Sequence, residues 1–284
     1  MEVFDRPESM RDWSDGRRRS GLRIGFVPTM GALHDGHLAL MGLAHEQAEV
    51  VVASIFVNPL QFDRRDDFDR YPRPLDTDLR ACLDVDVHAV YAPTASAMYP
   101  PGFQTHVEPG PLAEPWEGAG RPGHFRGVAT VVAKLFNAVA PHVAVFGRKD
   151  YQQLAVVRSM VRDLDMAITI IAAPTVREGD GLALSSRNRR LPPEHRAAAV
   201  CVPHALDAAV EAFHRGERRV TVLEAEARAV LEAQPLARVE YLTVFDADTL
   251  VALEVVDRPA VIAAAVWFGD VRLIDNMALE PSAP

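Results

Sequence analysis

Two histidines three residues apart, His34 and His37, are the first groups in this chain that could do chemistry. They lie in Met30-Gly31-Ala32-Leu33-His34-Asp35-Gly36-His37, and on a helical turn that spacing puts them on one face. Two imidazoles can hydrogen-bond a phosphate and, when protonated, stabilise charge developing in displacement at phosphorus. Gly36 lets a base or ribose approach the backbone closely. For either histidine alone, capping a surface helix is the plainer reading. A His-x-Gly-His that follows an apolar run and Pro-Thr-x-Gly favours a nucleotide site. Zinc would need a third ligand, and no spacing suggests one.

Two further segments carry charge at places where a phosphate could sit. Ser185-Ser186-Arg187 offers two hydroxyls and a guanidinium, a cradle for phosphate oxygens, although alone it reads as a turn. Phe146-Gly147-Arg148-Lys149-Asp150-Tyr151-Gln152-Gln153 reads as a strand-to-helix junction in which Lys149 can neutralise phosphate and Asp150 can cap a helix. Read alone, it is as well explained by a solvated charged turn. Gln61 and Gln153 place amides near two strand ends, where they can read a hydroxyl or carboxylate; exposed rim glutamines are the bland alternative. Together the segments are far more specific than any one of them.

The elements that must position these groups alternate. Apolar runs at 22–27, 50–57, 87–91, 142–146 and 167–172 read as buried parallel strands, separated by helical spacing. Ligands of such sheets bind beyond the carboxyl ends of the strands, where a helix N-terminus also favours anions. The charged stretch 64–69 reads as a solvated loop, and 76–83 as a short helix whose Asp76 and Asp78 are exposed acids more than metal contacts. Proline and glycine crowd 93–122, a long functional connection, before a helix over 127–139 and another over 151–164. After Pro174 come two alanine-rich helices, 193–213 and 220–233, and alternating strands near 239–245, 261–268 and 271–274. This predicts an α/β fold: a Rossmann-like parallel-sheet N-terminal domain over residues 1–175 and a smaller α+β C-terminal domain over 176–284.

Composition narrows the partners. Hydrophobic residues at 49% and charged residues at 24% fit a soluble globular protein with an ample core. A net charge of −9 argues against non-specific nucleic-acid binding, which is driven by cations, yet leaves room for a locally basic pocket. Cys82 and Cys201 are far apart and read as inert thiols. With no apolar leader and no bilayer-length run, the expected location is the cytoplasm, away from any membrane.

With these motifs assembled, the chain resembles the pantoate–β-alanine ligases (pantothenate synthetases) of the His-x-Gly-His nucleotidyltransferase superfamily. The matching strings include 27–37, 54–62, Tyr71-Pro72-Arg73, 121–132, Lys149-Asp150-Tyr151-Gln152-Gln153-Leu154, 174–178, Ser185-Ser186-Arg187-Asn188 and Leu273-Ile274-Asp275-Asn276. They span nearly the whole chain and weaken over 197–252. The resemblance implies ATP-dependent condensation of pantoate with β-alanine through a pantoyl adenylate, releasing AMP and pyrophosphate. It implies that Met30, Gly31, Ala32, Leu33, His34, Asp35, Gly36 and His37 hold ATP, with His37 as the proton donor. Gly147, Arg148, Lys149, Asp150, Val176, Leu184, Ser185, Ser186 and Arg187 would complete the nucleotide site. His34, Lys149 and Arg187 join His37 as charge-handling catalytic groups. Gln61 and Gln153 would hold pantoate, with Gln61 also near β-alanine. Magnesium would ride on the phosphates, the C-terminal domain would act as a lid, and the protein would be a homodimer.

Two positions depart from the family pattern. Arg148 stands where an acidic or amide residue is usual before Lys-Asp, and Leu184 replaces the usual methionine, a swap that nearly conserves volume. Two other readings compete. A plain nucleotidylyltransferase would need no amine, and Gln61, Gln153 and the specific strings argue against it. A weakened binding regulator is motivated by Arg148 alone, against intact His34, His37, Lys149 and Ser185-Ser186-Arg187.

Overall fold

The computed structural model describes residues 1–281. The chain divides into two compact units. One comprises Met1–Arg148 and Gln152–Pro174; the other takes Lys149–Tyr151 and the chain from Thr175 onward.

The first unit begins with β1 (Glu2–Phe4) and α1 (Pro7–Arg19), then β2 (Ile24–Thr29), α2 (Asp35–His45) and β3 (Val50–Ile55). The small helices α3 (Arg65–Asp69) and α4 (Leu75–Asp84) precede β4 (Ala89–Tyr91). The proline-rich connection holds α5 (Ala95–Met98) and α6 (Glu117–Gly120), and leads into α7 (His124–Val139), β5 (Val143–Gly147), α8 (Tyr151–Asp163) and β6 (Thr169–Ala173). The six strands form one sheet in the order β1-β4-β3-β2-β5-β6, with every pairing parallel.

Alternation along the strands builds a core on each face of this sheet. Phe26, Val52 and Ala144 pack with α7 and α8, through residues such as Phe136 and Val157. Their neighbours Val27, Val51, Ala53 and Val145 pack with Met41 and Ala44 of α2 and Cys82 of α4. Both faces are covered, which is why the strands read as continuous apolar runs.

The strand order fixes where a ligand fits. From β2 the chain runs outward through β3 to β4, then returns to place β5 on the other side of β2. The order therefore reverses between β2 and β5, and ligands of open parallel sheets bind outside the carboxyl ends at such a point.

The second unit packs α9 (Pro193–Ala198), α10 (Cys201–His214) and α11 (Val220–Glu232) with an antiparallel sheet of β7 (Arg238–Asp246), β8 (Ala260–Phe268) and β9 (Val271–Leu279). Its core joins Leu206, Phe213, Leu223 and Leu231 to Ile262 and Phe268. The expected α/β class with a smaller α+β part is the observed one.

Three expectations need correction. The 64–69 stretch is not a plain loop, because Arg65–Asp69 forms a turn of helix braced at its start by Arg64 on Asp66. The predicted helix over 193–213 is two helices, broken at Ala199–Val200. Asp78 is not an exposed acid; it is 1% exposed.

Candidate active site

The turn after β2 carries the histidine pair. His34 is the N-cap of α2, in extended conformation, and His37 occupies its third position. His37 Nδ1 accepts from the His34 N–H at 3.4 Å. The two rings stand with centroids 4.1 Å apart. Both residues are half-buried, at the carboxyl end of β2.

Getting from strand to helix here demands unusual backbone. Gly31 has φ +77° and Ala32, which bears a Cβ, has φ +51°. Left-handed alanine is strained, and the turn persists because other contacts determine it. Thr29 Oγ1 accepts from Gly31 N at 3.1 Å. The Asp78 carboxylate, reaching from α4, accepts from Ala32 N and Leu33 N, both at 2.8 Å. Those two amides are therefore taken by a side chain of the protein itself.

The next turn, after β3, carries Gln61. Asn58 caps a short 3₁₀ turn, Pro59–Gln61, and its Oδ1 accepts from Leu60 N at 3.2 Å. Asn58 Nδ2 donates to Gln61 Oε1 at 2.9 Å and to Gly127 O at 3.1 Å. Tyr99 OH donates to Asn58 Oδ1 at 2.8 Å. The Gln61 carbonyl accepts from His124 Nδ1 at 2.7 Å and from Arg121 Nη2 at 3.1 Å. With its Oε1 facing Asn58, Gln61 has its NH₂ group left to offer an oxygen of a substrate.

Beyond β5, Gly147 ends the strand on the other side of β2 and Arg148 is exposed. Of the adjacent glutamines at the start of α8, Gln152 is buried and committed: it donates to Leu112 O and Pro115 O, both at 2.8 Å, and accepts from Glu117 N at 3.0 Å. Its neighbour Gln153 is half-buried. In this unit the structure thus brings His34 and His37 into ring contact. It sets Gln61 at the adjacent strand exit, with Gly147 and Arg148 on the opposite side of β2.

Within the second unit, Lys149 Nζ lies 4.0 Å from Asp150 Oδ1, and Lys149 O accepts from Asn276 Nδ2 at 2.8 Å. Leu184 N donates to Val176 O at 3.0 Å, which pairs those two expected residues directly. Ser185 Oγ accepts from Arg187 N at 3.2 Å. The turn is tied down by Asn188, which donates to Glu178 Oε1 at 2.7 Å, and by Arg196 on Glu178 and Asp180. Arg177 forks onto Asp275 at 2.6 and 3.1 Å. These contacts hold the Ser185–Arg187 segment in shape without using its hydroxyls on distant groups.

The family model described as Pantoate-beta-alanine ligase matches residues 2–278. The chain belongs to the pantoate–β-alanine ligase family. A pantothenate synthetase from Moorella thermoacetica is 49% identical over 280 residues, covering 99% of each chain. One from Pseudomonas entomophila is 54% identical over 264 residues, covering 92% of each. Among solved structures, a pantothenate synthetase from Thermus thermophilus is similar at TM-score 0.93 and 45% identity, covering 99% of this chain and 100% of that one. A pantoate-beta-alanine ligase from Francisella tularensis, complexed with beta-gamma ATP and beta-alanine, gives TM-score 0.79 at 32% identity, covering 99% of each.

As a member of this ligase family, the chain is an enzyme that joins pantoate to β-alanine using ATP. Sequence reading missed several residues that hold the turns after β2 and β3 in shape. Asp78, Asn58, Tyr99 and His124 each act on backbone or on another side chain. Only Asp78 left a local signal: it lies one helical turn before the buried Cys82, on the inner face of α4.

Proposed function

We propose that the ligation proceeds in two displacements. A pantoate carboxylate oxygen attacks the ATP α-phosphorus, the bond from that phosphorus to the β-phosphate bridging oxygen breaks, and pyrophosphate leaves. The β-alanine amine then attacks the acyl carbon of the adenylate, loses a proton, and releases AMP with pantothenate.

The observation that carries this reading is the His34–His37 ring pair at the carboxyl end of β2, beside the point where strand order reverses. A carboxylate is a poor nucleophile toward an anionic phosphate, so the site must align two anions and neutralise them, which is positioning plus electrostatics. His37 donates a proton or hydrogen bond to the phosphate as charge builds, and His34 supports it. Gln61 reads pantoate through its NH₂ group, since Asn58 engages its oxygen, and Gln153 supplies a second amide. Met30 to His37, Gly147, Arg148, Asp150, Val176, Leu184, Ser185 and Ser186 contribute to ATP binding, with Lys149 and Arg187 countering phosphate charge. For those of the second unit this rests on the family resemblance, as does a lid role for residues 176–284.

Among the described residues no group of three or more His, Cys, Asp or Glu side chains is arranged to hold a metal ion. Magnesium is accordingly proposed to arrive on the ATP phosphates. No helix of the described residues is long and apolar enough to cross a membrane. Homodimer formation and a cytoplasmic location are proposed from the resemblance, the first to be checked by light scattering.

Pantoate labelled with ¹⁸O in its carboxylate tests the route. Attack on the α-phosphorus leaves labelled oxygen in AMP, with pyrophosphate unlabelled. Label in inorganic phosphate, accompanied by ADP, would refute the adenylate.

A further inference from the structure

The buried carboxylate of Asp78 has no part in the chemistry just described, yet it lies against the turn that delivers both histidines. Its two oxygens accept from consecutive backbone amides, Ala32 N and Leu33 N, each at 2.8 Å and 46 and 45 residues distant in sequence. Consecutive N–H groups can converge this way because Gly31 and Ala32 both adopt positive φ, bending the chain into a small anion-holding concavity. Space is closed from the other side. A Cβ on Gly31 would stand 2.8 Å from Asp78 Oδ2 and 3.0 Å from Ile55 Cγ2.

A neutral amide could not replace this carboxylate. Asparagine offers one acceptor, so its NH₂ would face one of the two N–H groups. The strained alanine conformation would then lose the charge-assisted bonds that offset it. Leu33 is followed at once by His34, the N-cap of α2, and any change of path at Ala32 is passed to the ring pair.

We propose that Asp78 is a positioning residue for the ligation: its carboxylate fills the amide pair of Ala32 and Leu33 and thereby fixes the left-handed turn that aims His34 and His37. It touches neither nucleotide nor pantoate. A corollary concerns the nucleotide: an anion arriving at this turn meets imidazoles, because the protein's own carboxylate already occupies the Ala32–Leu33 amides. The inference rests on the reading of His34 and His37 as groups that act on ATP.

The test compares the full-length wild type with Asp78→Asn. It follows AMP formation at saturating ATP and β-alanine, and amide exchange at Ala32 and Leu33 by NMR. Asp78→Asn is expected to keep a cooperative thermal transition, to lose roughly tenfold to a hundredfold in kcat, and to exchange both amides faster. The KM for pantoate should move by less than about threefold, since the loss falls on alignment and not on substrate binding. A folded variant with kcat within about twofold of wild type overturns the proposal. So does a kcat loss with both amides still protected.

Should Asp78→Asn fail to fold, Asp78→Glu carries the same comparison with the charge kept. Slower turnover with faster exchange at Ala32 and Leu33 supports the role, and full turnover with those amides unprotected refutes it. A wild type that makes no AMP from pantoate would instead refute the ligase route, while an active wild type beside an unimpaired Asp78→Asn refutes only the role of Asp78.

Discussion

The turns after β2 and β3 leave neighbouring parallel strands at the same edge of the sheet, and they are held in opposite ways. The first is fixed by charge: a buried carboxylate on two amides sustains two left-handed residues. The second is fixed by shape and, apart from the Arg121 guanidinium on Gln61 O, by neutral hydrogen bonds. Asn58 bridges Gln61 to Gly127, and α7 presses so close that a Cβ on Gly127 would meet Leu60 O at 2.3 Å. The difference follows the work each turn is proposed to do. Histidines meant for phosphate must project from a helix start that is costly to reach, whereas a neutral amide reader needs only a rigid seat.

If that contrast is right, substitutions should separate activity from stability. His37→Ala is expected to cut AMP formation by about 10²- to 10⁴-fold, the range for removing a proton-transfer or charge-stabilising group. Its thermal midpoint should stay near wild type, because a half-buried ring at a helix start holds little of the core. Near-normal single-turnover adenylation in this variant would break the assignment of the first turn.

Gly127→Ala attacks the second turn through its shape. Alanine would gain roughly 1 kcal/mol in helix propensity, but the added methyl collides with backbone that has no rotamer to escape into. The balance should be a loss of about 2 kcal/mol, within the cost of overpacking, seen as a lower urea midpoint at unchanged m-value. A stability equal to wild type would show that α7 and the Pro59–Gln61 turn can part freely. Tyr99→Phe probes the neutral bonds of the same turn by removing the donor to Asn58 Oδ1, which still accepts from Leu60 N. About 1 kcal/mol of stability should go, together with a modest rise in the KM for pantoate; an effect as large as that of Gly127→Ala would mean that bonding and not shape sets this seat.

Much of this was legible in the chain. Strands buried on both faces announce themselves as apolar runs, and the sequence places the His-x-Gly-His segment between a strand and a helix, as observed. What stayed hidden depends on partners distant in sequence. Asp78 shares a helix face with Cys82, but what its carboxylate holds is hidden until Ala32 and Leu33 are brought to it. Gln152 and Gln153 are identical in type, and only the folded connection at Leu112–Glu117 reveals that the first is a clamp. The opening β1 and α1 escaped notice for another reason: β1 is three residues long, and α1 is highly charged, with Met10 and Ser14 as its buried residues. The break at Ala199–Val200 is marked by Pro203 in the first turn of α10, which has no N–H to give Ala199 O, a signal that the reading of 193–213 as one helix passed over.

The opposite edge of the same sheet offers the gentlest test of how far charge, and not shape, governs a strand end. There His142 Nδ1 accepts from Ile24 N at 2.9 Å, where β2 begins. Acceptance requires a neutral ring nitrogen, and burial, with the nearby Arg18 and Arg23 charges, lowers the His142 pKa below its ordinary value. The folded state then binds fewer protons than the unfolded chain as pH falls through the histidine range, so stability rises with pH there. This contribution is full above the unfolded-state value near 6.5 and shrinks as acid protonates the ring and breaks the bond. The thermal midpoint should therefore decline from pH 7.5 to 5.5, and His142→Gln should flatten that slope while lowering the midpoint at pH 7.5 only slightly. An unchanged slope in the variant would mean that this strand end is indifferent to charge and that the contrast between the two turns is confined to the carboxyl edge of the sheet.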